Sequence, residues 1–552
     1  MGLLLRADAH HRLHQAGRDE ASLSRDRPQD RFPTRRAERA SSMTHFVEDL
    51  LAQAQRTPDA VCVVDIPAAD GTGGRRLTYT QVLEHARQLG QHINRQFTDE
   101  KRTIGIVMRN SSDWVIADFA CLLFGFTSLP LPLGFSKYQA EHLAFECSGF
   151  LVDDKGRETL EKRWEIDLNA SRLIHVPSAL ETPAPVPTGP SFIDSADAEW
   201  TCKVIHTSGT TSKPKGVKQS LGGLSAVLQS LLGVVPASYQ KRYLSVVPLS
   251  LLIEQVTAVY LPLLSGGTVY FLDERTPLIG EAGYDTSAIL AQLLKTRASA
   301  VTVPPIMLDV LLEVAEQNTD TELLSLLRNE LYITAGGAPI SSEKLQRLSA
   351  QGIQVHQGYG LSENGSVVSV NTPANSKLGS VGKPLPHVQV RVTDQQRVEI
   401  KSSSMFQGYS WVDPSACSFT EDGWLRTGDI GEFDDEGFLF ITGREKNIIC
   451  LPNGRNVSPE QIELEFKEQT GVNDALMFMT TDGQLAIVLS IGPLFDHQHT
   501  QDWAQQRFSE VELPQAIWPL APDAPQLQSL YALNGPARRA HATDLHRQTC
   551  TH

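Results

Sequence analysis

The chain has 552 residues, with 49 Lys and Arg against 64 Asp and Glu, for a net charge of −15. Its 41% hydrophobic and 20% charged composition can bury a substantial core and excludes wholesale disorder. The acidic balance argues against a nucleic-acid binder, which would carry a basic stripe, but it leaves room for an anionic ligand held by local donors.

In chain order, residues 1–42 come first and differ from the rest, with nine Arg, no Lys and six acidic residues. A transit peptide would be Arg-rich but poor in acids, so this stretch reads as a disordered leader or as an extension upstream of a start at Met43. The helical pattern of Phe46, Leu50, Leu51 and Ala54 follows at once. Strands are predicted at Val61–Ile66, Thr103–Met108, Lys203–His206, Thr268–Leu272, Ala300–Val303 and Leu331–Ile333. Helices are predicted between them, at Gln81–Ile93, Ser112–Phe124, Ala288–Leu294 and Ile306–Val314. This alternation predicts an α/β fold with mainly parallel sheets.

Pro183, Pro185, Pro187 and Pro190 mark a loop, and Gly431–Phe433 with Phe438–Ile441 reads as a hairpin about the turn at 434–437. The most apolar stretch, 114–133, contains Asp118, Pro130 and Pro132, so no membrane span is expected. The seven cysteines lack CxxC spacing, which predicts neither a zinc site nor a disulfide framework and points to a reducing, cytoplasmic setting.

The segment Val204-Ile205-His206-Thr207-Ser208-Gly209-Thr210-Thr211-Ser212-Lys213-Pro214-Lys215-Gly216-Val217 runs a strand into hydroxyls, glycine and two lysines. Small residues let backbone N–H groups converge on phosphate oxygens, hydroxyls add donors and ammonium groups neutralise charge. It is not a GxxxxGK[ST] loop, and taken alone such a stretch is more often a flexible loop. Four further segments accompany it: Ala335-Gly336-Gly337-Ala338-Pro339, Gly358-Tyr359-Gly360-Leu361-Ser362-Glu363, Gly423-Trp424-Leu425-Arg426-Thr427-Gly428-Asp429, and Gly443-Arg444-Glu445-Lys446-Asn447-Ile448-Ile449 with Val457-Ser458-Pro459-Glu460.

In this order the five segments resemble the motifs of the adenylate-forming superfamily, which includes the acyl-CoA synthetases, over roughly 44–540. The resemblance implies a large N-terminal AMP-binding domain of mixed and parallel sheets at 43–443 and a small, mobile α+β lid at 444–552. It implies formation of acyl-AMP from ATP and a small-molecule carboxylate, then transfer of the acyl group to coenzyme A or to the phosphopantetheine thiol of a carrier protein. Thr207, Ser208, Gly209, Thr210, Thr211 and Lys215 would hold phosphates. Glu363 would bind Mg²⁺, a hard cation that takes carboxylate and phosphate oxygens, with Ser362 keeping the hydroxyl beside it. Tyr359, Gly337 and Ala338 would enclose the adenine, Asp429 would accept from the ribose, Arg444 would reach the ribose or α-phosphate, and Lys446 would be the hinge.

Departures from the family pattern are informative. Pro536, in Leu533-Asn534-Gly535-Pro536-Ala537-Arg538-Arg539, stands where the family has a lysine that contacts the α-phosphate. Proline brings neither charge nor donor. This opens a second reading, a catalytically impaired member that binds ATP or acyl-AMP, unless Arg538 or Arg539 substitutes. In Val247-Pro248-Leu249-Ser250-Leu251-Leu252-Ile253-Glu254, Leu249 stands where amino-acid-activating relatives carry Asp, and Leu251 replaces a histidine of the fatty acyl enzymes. With Gly336, the leucines 249, 251 and 252 are expected to wall a pocket for an apolar, fatty or aryl carboxylate.

Overall fold

The computed structural model describes residues 45–98, 102–166, 172–181, 192–207, 215–318, 320–410, 419–450, 456–508, 512–533 and 535–550. The expected leader lies outside them. The α/β alternation resolves into two large sheets. One has nine strands, and its central strands Val61–Asp65, Thr268–Phe271, Arg242–Ser245, Ala300–Val303, Tyr332–Ala335 and Val355–Tyr359 are parallel neighbours in that order. The other has six strands, parallel from Leu173–His175 through Thr201–Thr207 and closed by the antiparallel strand Lys215–Ser220.

Helix Ser112–Phe124 is buried along nearly its whole length, as befits a helix apolar nearly all round. Ser111 caps it by accepting from the Trp114 amide, and Gly125 ends it with a left-handed φ of 72° that favours glycine. Helix Tyr79–Gln96 starts in a capping box formed by Thr78 and Gln81. Beside helix Ser112–Phe124 lies a fully buried ion pair. Lys203 Nζ donates to Asp118 and, at 3.1 Å, to Ser128 Oγ; Ser128 and Tyr260 also donate to Asp118.

The predicted hairpin is longer than expected: Leu425–Phe433 and Leu439–Arg444 pair antiparallel within a four-stranded meander. Beyond it, Val472–Met479, Leu485–Ile491 and Ala516–Leu520 form a three-stranded sheet covered by helices Pro459–Lys467 and Gly535–Cys550. Its core is its own, built from residues such as Ile462, Phe466, Met477 and Ile487. Among the described residues no helix is long and apolar enough to cross a membrane.

Candidate active site

Strands Thr201–Thr207 and Lys215–Ser220 pair with Thr207 opposite Lys215. Ser208, Gly209, Thr210 and Thr211 fall between them and lie outside the described residues. The outer edge of Lys215–Ser220 is taken up by residues 407–410: Lys218 N donates to Gly408 O at 3.0 Å, and Ser410 N to Gly216 O at 2.7 Å. This brings Tyr409 to the site. Its ring lies 5.2 Å from Lys215 Nζ, and its hydroxyl donates to Glu363 Oε1 at 2.7 Å. A cation over a ring face is attractive, so Tyr409 holds the lysine and the carboxylate in one corner. Gln219 adds to the fixation by donating to Ser362 O at 2.6 Å. Among the described residues Glu363 Oε2 accepts no hydrogen bond, which leaves that oxygen for a ligand.

No three His, Cys, Asp or Glu side chains gather among the described residues as a metal cage. One half-exposed carboxylate oxygen beside a lysine suits Mg²⁺ brought in with phosphates, since that ion uses one or two protein carboxylates and keeps water and phosphate oxygens.

The second part of the site stands at the C-terminal ends of the parallel strands, where open α/β sheets bind ligands. Tyr332–Ala335 and Val355–Tyr359 are neighbours there. A Cβ on Gly336 would come within 2.9 Å of Gly358 O, and Gly337 has φ 82°, so both positions require glycine. Ala338 is exposed beside them. Tyr359 Oη donates to Asp429 Oδ2 at 2.5 Å, and Arg444 Nε meets Asp429 Oδ1 at 2.7 Å. Asp429 and Arg444 face each other across the hairpin. Burial raises the Asp429 pKa, while the Arg444 guanidinium and Tyr359 hydroxyl oppose the shift. A carboxylate has about four lone-pair sites, so two remain for a ribose.

The leucine segment divides. Leu249 and Leu252 are 1% and 2% exposed and belong to the core, while Leu251 is 38% exposed. Behind them Glu254 is fully buried and accepts from Ser245 Oγ at 2.7 Å. Burial pushes its pKa up to about 8. The folded pKa stands above the unfolded one, so the stability from the neutral acid is full in acid and lost as pH rises toward about 8. Glu254→Gln, neutral at every pH, should therefore melt close to wild type near pH 5 and increasingly above it as pH approaches 8. A melting gap that stays constant across this range would show that Glu254 titrates as an ordinary carboxylate.

On the lid side, Lys446 lies in the turn Glu445–Asn447, its pKa lowered by partial burial and by Arg444. Asn447 Nδ2 donates to Glu460 Oε1 at 2.6 Å. Pro536 is the second residue of helix Gly535–Cys550, whose first residue approaches Asn447: a Cβ on Gly535 would lie 3.5 Å from its Oδ1. Neither candidate substitute for the missing lysine is at liberty. Arg538 is paired with Asp474 at 2.9 Å, and Arg539 donates to Glu463 and to Met477 O.

Comparison with known proteins identifies the family. The family profile of AMP-binding enzymes matches residues 50–409. The 2-succinylbenzoate–CoA ligase of Bacillus pumilus is 25% identical over 486 residues, covering 85% of this chain and 92% of that protein. The feruloyl-CoA synthase of an Amycolatopsis species is 25% identical over 480 residues, 81% of this chain and 90% of that protein. The O-succinylbenzoate coenzyme A synthetase of Bacillus subtilis, solved in complex with ATP and magnesium ion, matches with a TM-score of 0.68 at 24% identity, covering 86% of this chain and 95% of that one. At that identity the structural likeness speaks for the fold.

Proposed function

The chain belongs to the AMP-binding enzyme family, and from that premise we propose that it joins a carboxylic acid to a thiol through an acyl-adenylate. The acid's oxygen attacks the α-phosphorus of ATP, the bond to the β-phosphate breaks and pyrophosphate leaves. A thiol then attacks the acyl carbonyl and AMP leaves. Coenzyme A is the acceptor we favour, because the similar ligases carry it in their names.

Such chemistry depends on positioning and on compensating charge that develops in the transition state. Lys215 and the hydroxyls of 207–211 are assigned to the departing phosphates. Glu363 and the phosphates would hold Mg²⁺, which neutralises phosphate charge when bound. Tyr359, Gly337 and Ala338 are assigned to the adenine, and Asp429 with Arg444 to the ribose. Lys446 is assigned to the hinge, with the lid beginning at 444. The observation that carries this reading is the Lys215–Tyr409–Glu363 corner, in which a cation and an available carboxylate oxygen are held together at the end of the phosphate strand. The test is acid-dependent exchange of labelled pyrophosphate into ATP over a panel of fatty and aryl acids. Exchange with any of them supports the reading, and silence across the panel with ATP still bound removes it.

The impaired-member reading has one observation in its favour: Pro536 has no donor, and Arg538 and Arg539 are engaged inside the lid. Pro536→Lys is therefore expected to raise the exchange rate about tenfold or more, a transition-state charge contact being worth ~3 kcal/mol at most. An unchanged rate would show that residue 536 does not approach the α-phosphate.

A further inference from the structure

A row of side-chain hydroxyls crosses the C-terminal ends of the central parallel strands. Register places Thr302 opposite Thr334 and Thr334 opposite His356, so three neighbouring parallel strands present these side chains on one face. Thr257, from the turn Gln255–Tyr260, lies over the first of them. Thr302 Oγ1 donates to Thr257 Oγ1 at 3.3 Å, and the hydroxyls of Thr302 and Thr334 are 2.7 Å apart. Tyr243 Oη continues the row, 3.0 Å from Thr257 Oγ1.

The row sits where the sheet opens. One step back on the same face Ala300 and Tyr332 are 6% and 4% exposed, whereas Thr302 and Thr334 are only half-buried. Thr257 is likewise half-buried between Val256 and Ala258, both at 0%. The opening lies toward the C-terminal strand ends, the side on which Gly336 stands. At the end of the row His356 is 7% exposed, its ring 4.5 Å from that of Tyr332, and its Nδ1 has no hydrogen-bond partner.

The hydroxyl hydrogens are donated within the protein, Thr257 to Ile253 O at 2.9 Å and Thr334 to Val301 O at 3.3 Å, so the row offers oxygen lone pairs, which a purely aliphatic acyl group would cover without return. A hydroxyl on the acyl group can donate to them. Its charge is constrained as well. Among the described residues no Lys or Arg hydrogen-bonds to the row, and burial lowers His356 to about 4, so it is neutral near pH 7. A second carboxylate would then be buried without a counter-charge. Resting on the acid-activation reading above, we propose that Thr257, Thr302 and Thr334 select carboxylic acids whose acyl group bears a neutral hydroxyl substituent.

Matched acids test this: para-hydroxycinnamate against cinnamate, a hydroxylated against a plain medium-chain fatty acid, and a dicarboxylate of similar length, each by pyrophosphate exchange. The oxygenated member of each pair should show a kcat/KM at least tenfold higher, with the dicarboxylate poorer than either. A site built to hydrogen-bond a substrate oxygen rejects the analogue lacking it. Thr302→Val with Thr334→Val should pull the ratio toward one, and Thr302→Ser with Thr334→Ser, which keeps both hydroxyls, should preserve it. Equal kcat/KM within the pairs, or preference for the plain acid or the dicarboxylate, overturns the proposal and leaves acid activation standing. No exchange with any acid removes the activation reading and this proposal with it.

Discussion

Glu363→Ala is expected to lower acid-dependent pyrophosphate exchange by about a hundredfold to a thousandfold, the scale seen when one preorganised electrostatic contact to a transition state is deleted. Glu363 occupies a short turn, and only one of its oxygens is engaged, by Tyr409. Its backbone carbonyl still accepts from Phe406 N at 2.9 Å after truncation, so the loss should be of rate and not of fold. Tyr409 would keep its place over Lys215 through the strand pairing of 407–410, which isolates the carboxylate as the cause. The measurement is the initial exchange rate at saturating acid, with thermal melting as a check on folding. A variant that melts like wild type and exchanges within tenfold of it would show that another group carries the metal and phosphate charge.

The largest effect on stability is expected at the buried pair. Asp118→Ala leaves the Lys203 ammonium at 0% exposure with Ser128 and the Tyr260 ring, 5.4 Å away, but no counter-charge from Asp118. Removing one partner of such a pair costs about 3–5 kcal/mol, because the remaining charge is uncompensated. Replacing both, as in Asp118→Leu with Lys203→Met, should cost less than the single change, since neither charge is then stranded. Chemical denaturation of the three variants reads this order directly. A double variant less stable than Asp118→Ala would show that the hydrogen bonds from Tyr260 and Ser128 outweigh the charge pair itself. Lys203 lies on the strand that ends at Thr207, so weakening the pair is also expected to loosen the support of the phosphate segment.

The sequence is legible where structure is local. The apolar runs at 61–66 and 300–303 are strands because β-branched residues bounded by polar ones fit a buried parallel sheet, and Ser112–Phe124 is a helix with both ends as read. The motifs assign Tyr359 and Asp429 to one expected site, but the 2.5 Å hydrogen bond between their side chains is not legible in the sequence. Tyr409 escaped notice because an isolated aromatic after Gly408 carries no spacing that ties it to Lys215 or Glu363. The Asp118–Lys203 pair is separated by 85 residues, a distance at which no periodicity speaks. The threonines at 302 and 334 read simply as strand formers, and only the register across three strands shows them as a row. Of the leucines expected to wall the pocket, helical spacing could not tell that Leu251 faces outward while its neighbours face the core.

The pairing of Thr207 with Lys215 has an engineering consequence. The position of Lys215 is set by a β-ladder and by the docking of 407–410, not by the residues that connect the two strands. Changes in the connecting stretch should therefore spare the place of Lys215 while costing the phosphate contacts assigned to its hydroxyls. A short insertion there should cost the fold little, because lengthening a loop between fixed anchors adds entropy only logarithmically, so a fall in exchange would report the phosphate contacts and not stability. A slip of the ladder by a single residue, by contrast, would turn Lys215 to the opposite face of the sheet and disable the corner at once.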